Sequence, residues 1–232
     1  MSKLSIEKHI SSQFAEELEH VFERILVMGD LVEFQVVAAV KSLVEGDSPL
    51  GERVVAKDVE VNALELSLDD LCSTILARRQ PTASDLRLII AAIKIVTDLE
   101  RIGDEAEKVA KMGLHLATLE QSDKPYQDIA DMGASVQAMI HGALDAFSRL
   151  DAALAVSVAA SDKQVNAKYR SVVQRCTDLM SEDSSTVRRS LDVMWAARAL
   201  ERIGDHSRNI CEYVIYLARG KDVRHISTKS LS

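Results

Sequence analysis

The sequence predicts an all-α protein of six helices, arranged as two tandem antiparallel three-helix bundles that arose by internal duplication. Three observations support this prediction. The 232 residues include only 9 Gly and 3 Pro, and 47% are hydrophobic but only 4% aromatic, so Ala, Leu, Val and Ile must fill the core of long helices. The chain also matches itself when it is shifted by 104 or 101 residues, and its helix breaks recur in both copies.

The duplication rests on two pairs of segments that occur in the same order. Asp58-Val-Glu-Val-Asn62 resembles Asp162-Lys-Gln-Val-Asn166 at an offset of 104. Glu100-Arg-Ile-Gly-Asp104 recurs without change as Glu201-Arg-Ile-Gly-Asp205 at an offset of 101. Because several matches share one order and need a single small length change, they indicate duplication rather than coincidence.

Loop-forming residues divide each copy into three predicted helices. We expect the six helices at residues 4–46, 50–79, 83–119, 125–150, 153–181 and 185–219. The short loops between them force neighbouring helices to run antiparallel, as in an up-down-up bundle. The predicted domains are a first repeat at 1–120, a second at 121–220, and a flexible basic tail at 221–232.

Charge and cysteine content exclude several classes of function. The net charge of −8 disfavours nucleic-acid binding, which needs a basic surface. Three cysteines without C-x-x-C spacing are typical of a reducing compartment. The N-terminus has no apolar core of a signal peptide, and the longest apolar run, residues 86–96, contains two charges and is too short to span a bilayer. We therefore expect a cytoplasmic protein that meets membranes only through partners.

Acidic side chains lie beside the apolar face of the third and sixth helices. Glu100 and Asp104 project onto the margin of that face, and Glu201 and Asp205 do so in the second copy. Like charges at positions i and i+4 repel by about 0.2–0.5 kcal/mol in an isolated helix. A bound cation would remove this cost, so we predict a metal site in each repeat.

Polar residues on the second and fifth helices extend these candidate sites. Asp58, Asn62 and Glu65 flank the apolar seam of the second helix, and the matching positions in the fifth hold Asp162, Asn166 and Tyr169. Carboxylates without sulfur or well-placed histidine suit magnesium, calcium, manganese or iron better than structural zinc.

Glycine between the paired acids supports this interpretation. A glycine inside a helix costs about 1 kcal/mol relative to alanine, so Gly103 and Gly204 indicate that a neighbouring backbone, or a metal cluster, approaches closely. The alternative is an ordinary solvated face, or one on which Arg101 and Arg202 neutralise the acids.

Two further alternatives concern the class of function. The chain contains no glycine-rich phosphate loop, nucleophile elbow or kinase motif, and it lacks the Glu-x-x-His pairs of di-iron enzymes. We therefore predict that it is not an enzyme. A metal-binding helical scaffold without a signalling role is the remaining alternative to a regulator.

The paired motifs resemble those of the PhoU family over about residues 5–220. The resemblance is carried by Leu-Glu-Arg-Ile-Gly-Asp in the third helix of each repeat, by Asp-x-x-x-Asn in the second, and by Gln80-Pro-Thr-Ala-Ser-Asp-Leu-Arg87 between them. It implies two three-helix bundles side by side, with metal ions or clusters at the acidic motifs of some members.

Function and site residues follow from this resemblance as expectations. PhoU proteins act as negative regulators of the phosphate-starvation response and modulate phosphate uptake. They are thought to work between the nucleotide-binding subunit of the phosphate ABC transporter and a phosphate sensor histidine kinase, commonly as homodimers. The expected metal is iron, manganese, magnesium or zinc, and the expected ligands are Glu100, Asp104, Glu201 and Asp205 with Asp58 and Asp162. Tyr169, where the first repeat has Glu65, leaves the second site with one carboxylate fewer.

Overall fold

A computed structural model describes residues 12–81, 83–119 and 126–220. These residues form six α-helices and no strand. The bounds are α1 Ser12–Glu45, α2 Ser48–Arg79, α3 Ala83–Ala117, α4 Gln127–Arg149, α5 Ala152–Glu182 and α6 Val187–Arg219, with a 3-10 turn at Ser184–Thr186 before α6. Five helices lie within a few residues of their predicted positions, and α1 ends as predicted, while the part predicted at 4–11 lies outside the described residues. The all-α prediction is confirmed. The predicted tail at 221–232 lies outside the described residues.

Equivalent capping residues begin the second helix of each repeat. The Asp47 carboxylate accepts a hydrogen bond from the Leu50 N–H at 2.9 Å. The Asp151 carboxylate accepts from the N–H groups of Ala153 and Leu154 at 2.9 and 3.0 Å. These bonds satisfy amides that have no partner within the helix, which explains why both helices start at the predicted breaks.

The two repeats pack side by side around one continuous hydrophobic core. α3 and α6 run antiparallel at its centre, as the contacts of Asp98 with His206 and of Glu105 with Arg202 require. α1 and α4 also run antiparallel, and the Phe22 and Phe147 rings stack with centroids 4.6 Å apart. The central position of α3 and α6 leaves their outer faces to α2 and α5, and the acidic motifs lie on these faces.

Candidate functional site

The first carboxylate site lies where α2 crosses Gly103 of α3. A Cβ atom at Gly103 would stand 3.3 Å from Val61 Cγ1 and 3.5 Å from Asp58 Oδ1. The atoms that approach the glycine belong to side chains rather than to a neighbouring backbone, and Asp58 lies beside the Glu100–Asp104 turn. The Asn62 side-chain amide donates to Asp58 Oδ2 at 3.0 Å and fixes its orientation.

Mutual repulsion and burial act on the carboxyl groups of this first site. Burial raises the pKa of Asp58, and the charges of Asp104 and Glu107 raise it further. Burial also raises the pKa of Glu100, with Asp104 and Glu65 adding to the effect. Burial, followed by the charges of Asp69 and Asp104, raises the pKa of Glu65. Three carboxyl groups with raised pKa values on two facing helices form a concentrated negative potential.

Several buried polar atoms of the first site have no hydrogen-bond partner among the described residues. They are Asp58 Oδ1, Asn62 Oδ1 and both polar atoms of the Gln35 side-chain amide. Gln35 is 1% exposed, and its Oε1 lies 3.4 Å from the Cβ position of Gly103. Since buried polar atoms are nearly always paired, this cluster of oxygens fits a cation or ordered water. Sequence reasoning missed Gln35, a lone amide among apolar residues of α1.

The second site repeats the backbone arrangement of the first. A Cβ atom at Gly204 would stand 3.3 Å from Val165 Cγ1 and 3.5 Å from Asp162 Oδ1. The Asn166 side-chain amide donates to Asp162 Oδ2 at 2.9 Å. Asp162 is 4% exposed, so it is a buried carboxyl group on α5 facing the Glu201–Asp205 turn of α6.

Arginine side chains occupy this second site. Arg208 Nη1 donates to Asp162 Oδ2 at 3.0 Å and lies 3.5 Å from Asp205 Oδ1. Arg198 Nη1 donates to Glu201 Oε2 at 2.6 Å. Burial raises the pKa of Asp162, while the Arg208 charge acts in the opposite direction. The second site therefore contains its own cations.

The ring of Tyr169, at the position that Glu65 holds in the first repeat, lies against one of these arginines. The centroid of the ring is 5.8 Å from the Arg198 guanidinium carbon. Burial, followed by the charge of Asp205, raises the pKa of Glu201, and Arg198 opposes both. The arginine partners were not predicted, although Arg208 follows Asp205 by three residues and Arg198 precedes Glu201 by three.

A separate polar network joins the two repeats between α3 and α6. His206 Nδ1 lies 2.7 Å from Asp98 Oδ1, and the Asn209 amide donates to the same oxygen at 3.2 Å. Arg202 Nη1 lies 2.7 Å from Glu105 Oε1. Arg202 therefore pairs across the interface between repeats. The alternative interpretation had placed it against Glu201 or Asp205.

The structure brings the six predicted ligands together as two groups of three. Asp58 lies with Glu100 and Asp104, and Asp162 lies with Glu201 and Asp205. In the side-chain conformations described, however, no three His, Cys, Asp or Glu residues of the described chain are arranged as a ready metal-binding group. Metal binding at either site stays a prediction.

Comparison with known proteins identifies the family. A family model for the PhoU domain matches residues 25–112 and 129–214. The phosphate-specific transport system accessory protein PhoU homolog of Pseudomonas aeruginosa is 50% identical over 226 residues, covering 97% of this chain and 93% of the relative. The Escherichia coli accessory protein PhoU is 39% identical over 231 residues, covering 100% and 95%.

Solved structures agree with this result. The crystal structure of PhoU from Pseudomonas aeruginosa has a TM-score of 0.87 at 50% identity and covers 90% of this chain and 100% of its own. That of the phosphate transport system regulatory protein PhoU from Streptococcus pneumoniae has a TM-score of 0.84 at 28% identity, with coverage of 90% and 99%. Among the described helices none is long and apolar enough to cross a membrane. With two matching domains and relatives that align over nearly its whole length, the chain belongs to the PhoU family.

Proposed function

We propose that the chain is a negative regulator of the phosphate-starvation response and a modulator of phosphate uptake. The observation that carries the proposal is the alignment of nearly the whole chain with phosphate-specific transport system accessory proteins at up to 50% identity. The all-helical fold and the sequence, which contains no motif of a catalytic family, support action by binding rather than by catalysis. We assign it to the cytoplasm, where both proposed partners are accessible.

The proposed partners are the nucleotide-binding subunit of the phosphate ABC transporter and a phosphate sensor histidine kinase, which the chain contacts as a homodimer. Pull-down of each partner by the purified full-length chain tests the contacts, and light scattering tests the dimer. Failure to capture either partner would favour the alternative of a metal-binding scaffold without a signalling role.

We further propose that the first site binds a divalent or trivalent metal ion. Asp58, Glu100 and Asp104 would supply carboxylate oxygens, and the unpartnered oxygens of Asn62 and Gln35 would support them. Oxygen donors of this kind favour magnesium, manganese or iron. The second-repeat residues fit a metal less well, because Arg208 and Arg198 already contact Asp162 and Glu201.

Deletion of the gene tests the regulatory proposal. We expect phosphate-starvation promoters to become constitutive at high phosphate and the wild-type chain to restore repression. If the first site transmits the signal, an Asp58→Asn, Asp104→Asn double variant will fail to restore it.

A matched control removes two exposed carboxylates from α2 instead. The Glu52→Gln, Asp70→Asn variant changes the net charge by the same amount and should restore repression. Normal repression in the deletion strain would contradict the regulatory proposal. Full rescue by the Asp58, Asp104 double variant would remove the metal site from the mechanism and leave the regulatory role intact.

A further inference from the structure

A cavity of about 150 Å³ lies at one end of the second repeat, between α4, α5 and α6. It is separate from the carboxylate sites, which lie near the middle of these helices. Most of its wall is apolar, formed by Ile129, Val172, Cys176, Leu179 and Val193. Tyr126, Arg175, Arg189 and Ser190 supply the polar part of the lining together with Asp128 and Thr186.

The first repeat has larger apolar side chains at the equivalent positions. The offsets of 104 and 101 place Leu68 at the position of Val172 and Ile89 at that of Ser190, and both are fully buried. Two more residues of the first repeat, Leu71 and Leu88, pack against the core at the positions of Arg175 and Arg189. The second copy has thus replaced leucine and isoleucine by smaller or charged residues.

These replacements reduce the apolar volume around the cavity and place charges at its rim. Ser190 is buried but shorter than isoleucine, and Val172 is one methylene shorter than leucine. Arg189 Nη1 lies 3.5 Å from the Tyr126 hydroxyl, and the Arg175 guanidinium contacts Asp128 at 2.5 Å. Arg175 is therefore paired with the carboxylate of Asp128, whereas the Arg189 guanidinium lies beside the neutral hydroxyl of Tyr126.

We propose that this cavity is a binding site for a small carboxylate with a compact apolar group. A dry cavity of about 150 Å³ accepts a molecule the size of benzene. A guanidinium at the rim binds a carboxylate through charge-assisted hydrogen bonds. The apolar end of such a ligand, a phenyl ring or a branched chain of four or five carbons, enters beside Cys176 and Ser190. Its carboxylate remains at the rim and contacts Arg189.

Benzoate is the probe that tests the proposal on the full-length chain. We expect saturable binding in isothermal titration, at least tenfold weaker binding of benzyl alcohol, and at least tenfold loss in Arg189→Gln. The matched control Arg188→Gln, which changes an exposed neighbour on α6, should bind as the wild type does. Equal affinity for benzyl alcohol, or equal loss in both variants, would overturn the assignment of the carboxylate to Arg189.

Filling the cavity provides an independent test. Ser190→Ile restores the residue of the first repeat, so it should abolish benzoate binding while the melting temperature stays at or above that of the wild type. Val172→Leu restores a second residue and should weaken binding in the same direction. If benzoate does not bind the wild type, the proposal fails. A lower melting temperature of Ser190→Ile would show that atoms of the chain itself fill the cavity in solution, and it too would overturn the proposal.

Discussion

The two carboxylate sites have the same backbone but opposite surroundings. Residues 12–119 contain 20 acidic and 11 basic side chains, a net charge of −9, whereas residues 126–220 contain 12 and 11, a net charge of −1. The clearest local difference is an inverted ion pair one turn beyond the motif. Glu107 pairs with Lys111 at 2.6 Å in the first repeat, and Arg208 lies 3.5 Å from Glu212 at the same positions in the second.

This inversion decides which charge lies near the aspartate of each site, Asp58 or Asp162. In the first repeat Glu107 adds a negative charge near Asp58, whose Oδ1 has no hydrogen-bond partner in the described chain. In the second repeat Arg208 bonds to Asp162 Oδ2, although Asp162 Oδ1 also has no hydrogen-bond partner in the described chain. The two sites of common origin therefore differ in charge: the second contains arginine side chains that contact its carboxylates, and the first is the one at which we propose that a cation from solution binds.

The largest expected effect is stabilisation of the first site by metal. A hundredfold excess of Mn²⁺ over its dissociation constant should stabilise the folded state by about 2.7 kcal/mol. For a chain of this size that raises the melting temperature by about 5–10 °C. Scanning calorimetry with Mn²⁺ and with chelator measures the shift.

Variants at each site show which of the two sites is responsible for the stabilisation by Mn²⁺. Asp58→Asn with Asp104→Asn should lose the response to Mn²⁺, and Asp205→Asn should keep it. An equal loss in both variants would show that the two sites bind metal alike. The absence of any shift in the wild type would remove the metal proposal.

The second-largest expected effect is the loss of stability when Arg208, the cation that contacts Asp162 in the second site, is removed. Arg208→Met leaves Asp162, which is 4% exposed, with Asn166 as its remaining hydrogen-bond donor in the described structure. Breaking a buried ion pair costs about 3–5 kcal/mol. Because the Arg208 side chain is 35% exposed, we expect about 2 kcal/mol in urea denaturation. The matched variant Glu107→Met should change stability by less than about 0.5 kcal/mol, since it also relieves repulsion of Asp58. Equal losses of stability in Arg208→Met and Glu107→Met would contradict the proposed difference between the two sites.

A reciprocal exchange of the ion pairs should move the metal preference between repeats. Glu107→Arg with Lys111→Glu should weaken Mn²⁺ binding at least tenfold, about 1.4 kcal/mol. Arg208→Glu with Glu212→Lys should raise the stoichiometry from one ion per chain to two. Each double variant keeps an i, i+4 ion pair, so helix stability changes little.

Exchanging the two charges of an ion pair far from both sites is the control for the effect of charge reversal itself. Lys41 and Glu45 form an exposed pair on α1 with a distance of 3.9 Å. Lys41→Glu with Glu45→Lys should leave both the affinity for Mn²⁺ and the stoichiometry unchanged. An unchanged stoichiometry in the Arg208, Glu212 variant would show that something other than the arginine keeps the second site closed.

The fold could be predicted from sequence because each of its boundaries has a local cause. Asp47 and Asp151 cap their helices with their own side chains, and Gly46 adopts a positive φ of 70° after α1. The duplication added a second, independent indication of every break. The i, i+4 spacing also placed Glu100 and Asp104 on the face that meets Asp58, since antiparallel neighbours in a bundle must bring those turns together.

The partners of the acids could not be predicted in the same way. Arg208 lies on α6 one turn from Asp205, but only the rotation of α6 against α5 decides that it contacts Asp162. Arg202 lies within the motif itself, yet it pairs with Glu105 of the other repeat. Gln35 is a single polar residue in an apolar stretch of α1, and sequence does not reveal that it is fully buried beneath Gly103.

The smallest expected effect is a pH dependence that changes sign when metal binds. The pKa of Asp58 is raised in the folded state, by burial and then by Asp104 and Glu107. The folded chain therefore binds a proton more tightly than the unfolded chain. The contribution of Asp58 to the free energy of unfolding is fully present below the pKa of Asp58 in the unfolded chain. It is lost as the pH rises through the higher pKa of Asp58 in the folded chain.

In chelator, the stability of the wild type relative to Asp58→Asn should therefore increase as the pH is lowered from 7 to 4. With saturating Mn²⁺ the same difference should decrease, because the ion binds the deprotonated carboxylate and competes with protons. Urea denaturation of both proteins at each pH, with and without Mn²⁺, measures the two slopes. The effect is small because Asp58 remains partly exposed to solvent. Slopes of the same sign under both conditions would show that Asp58 does not contact the metal, even if the first site as a whole binds one.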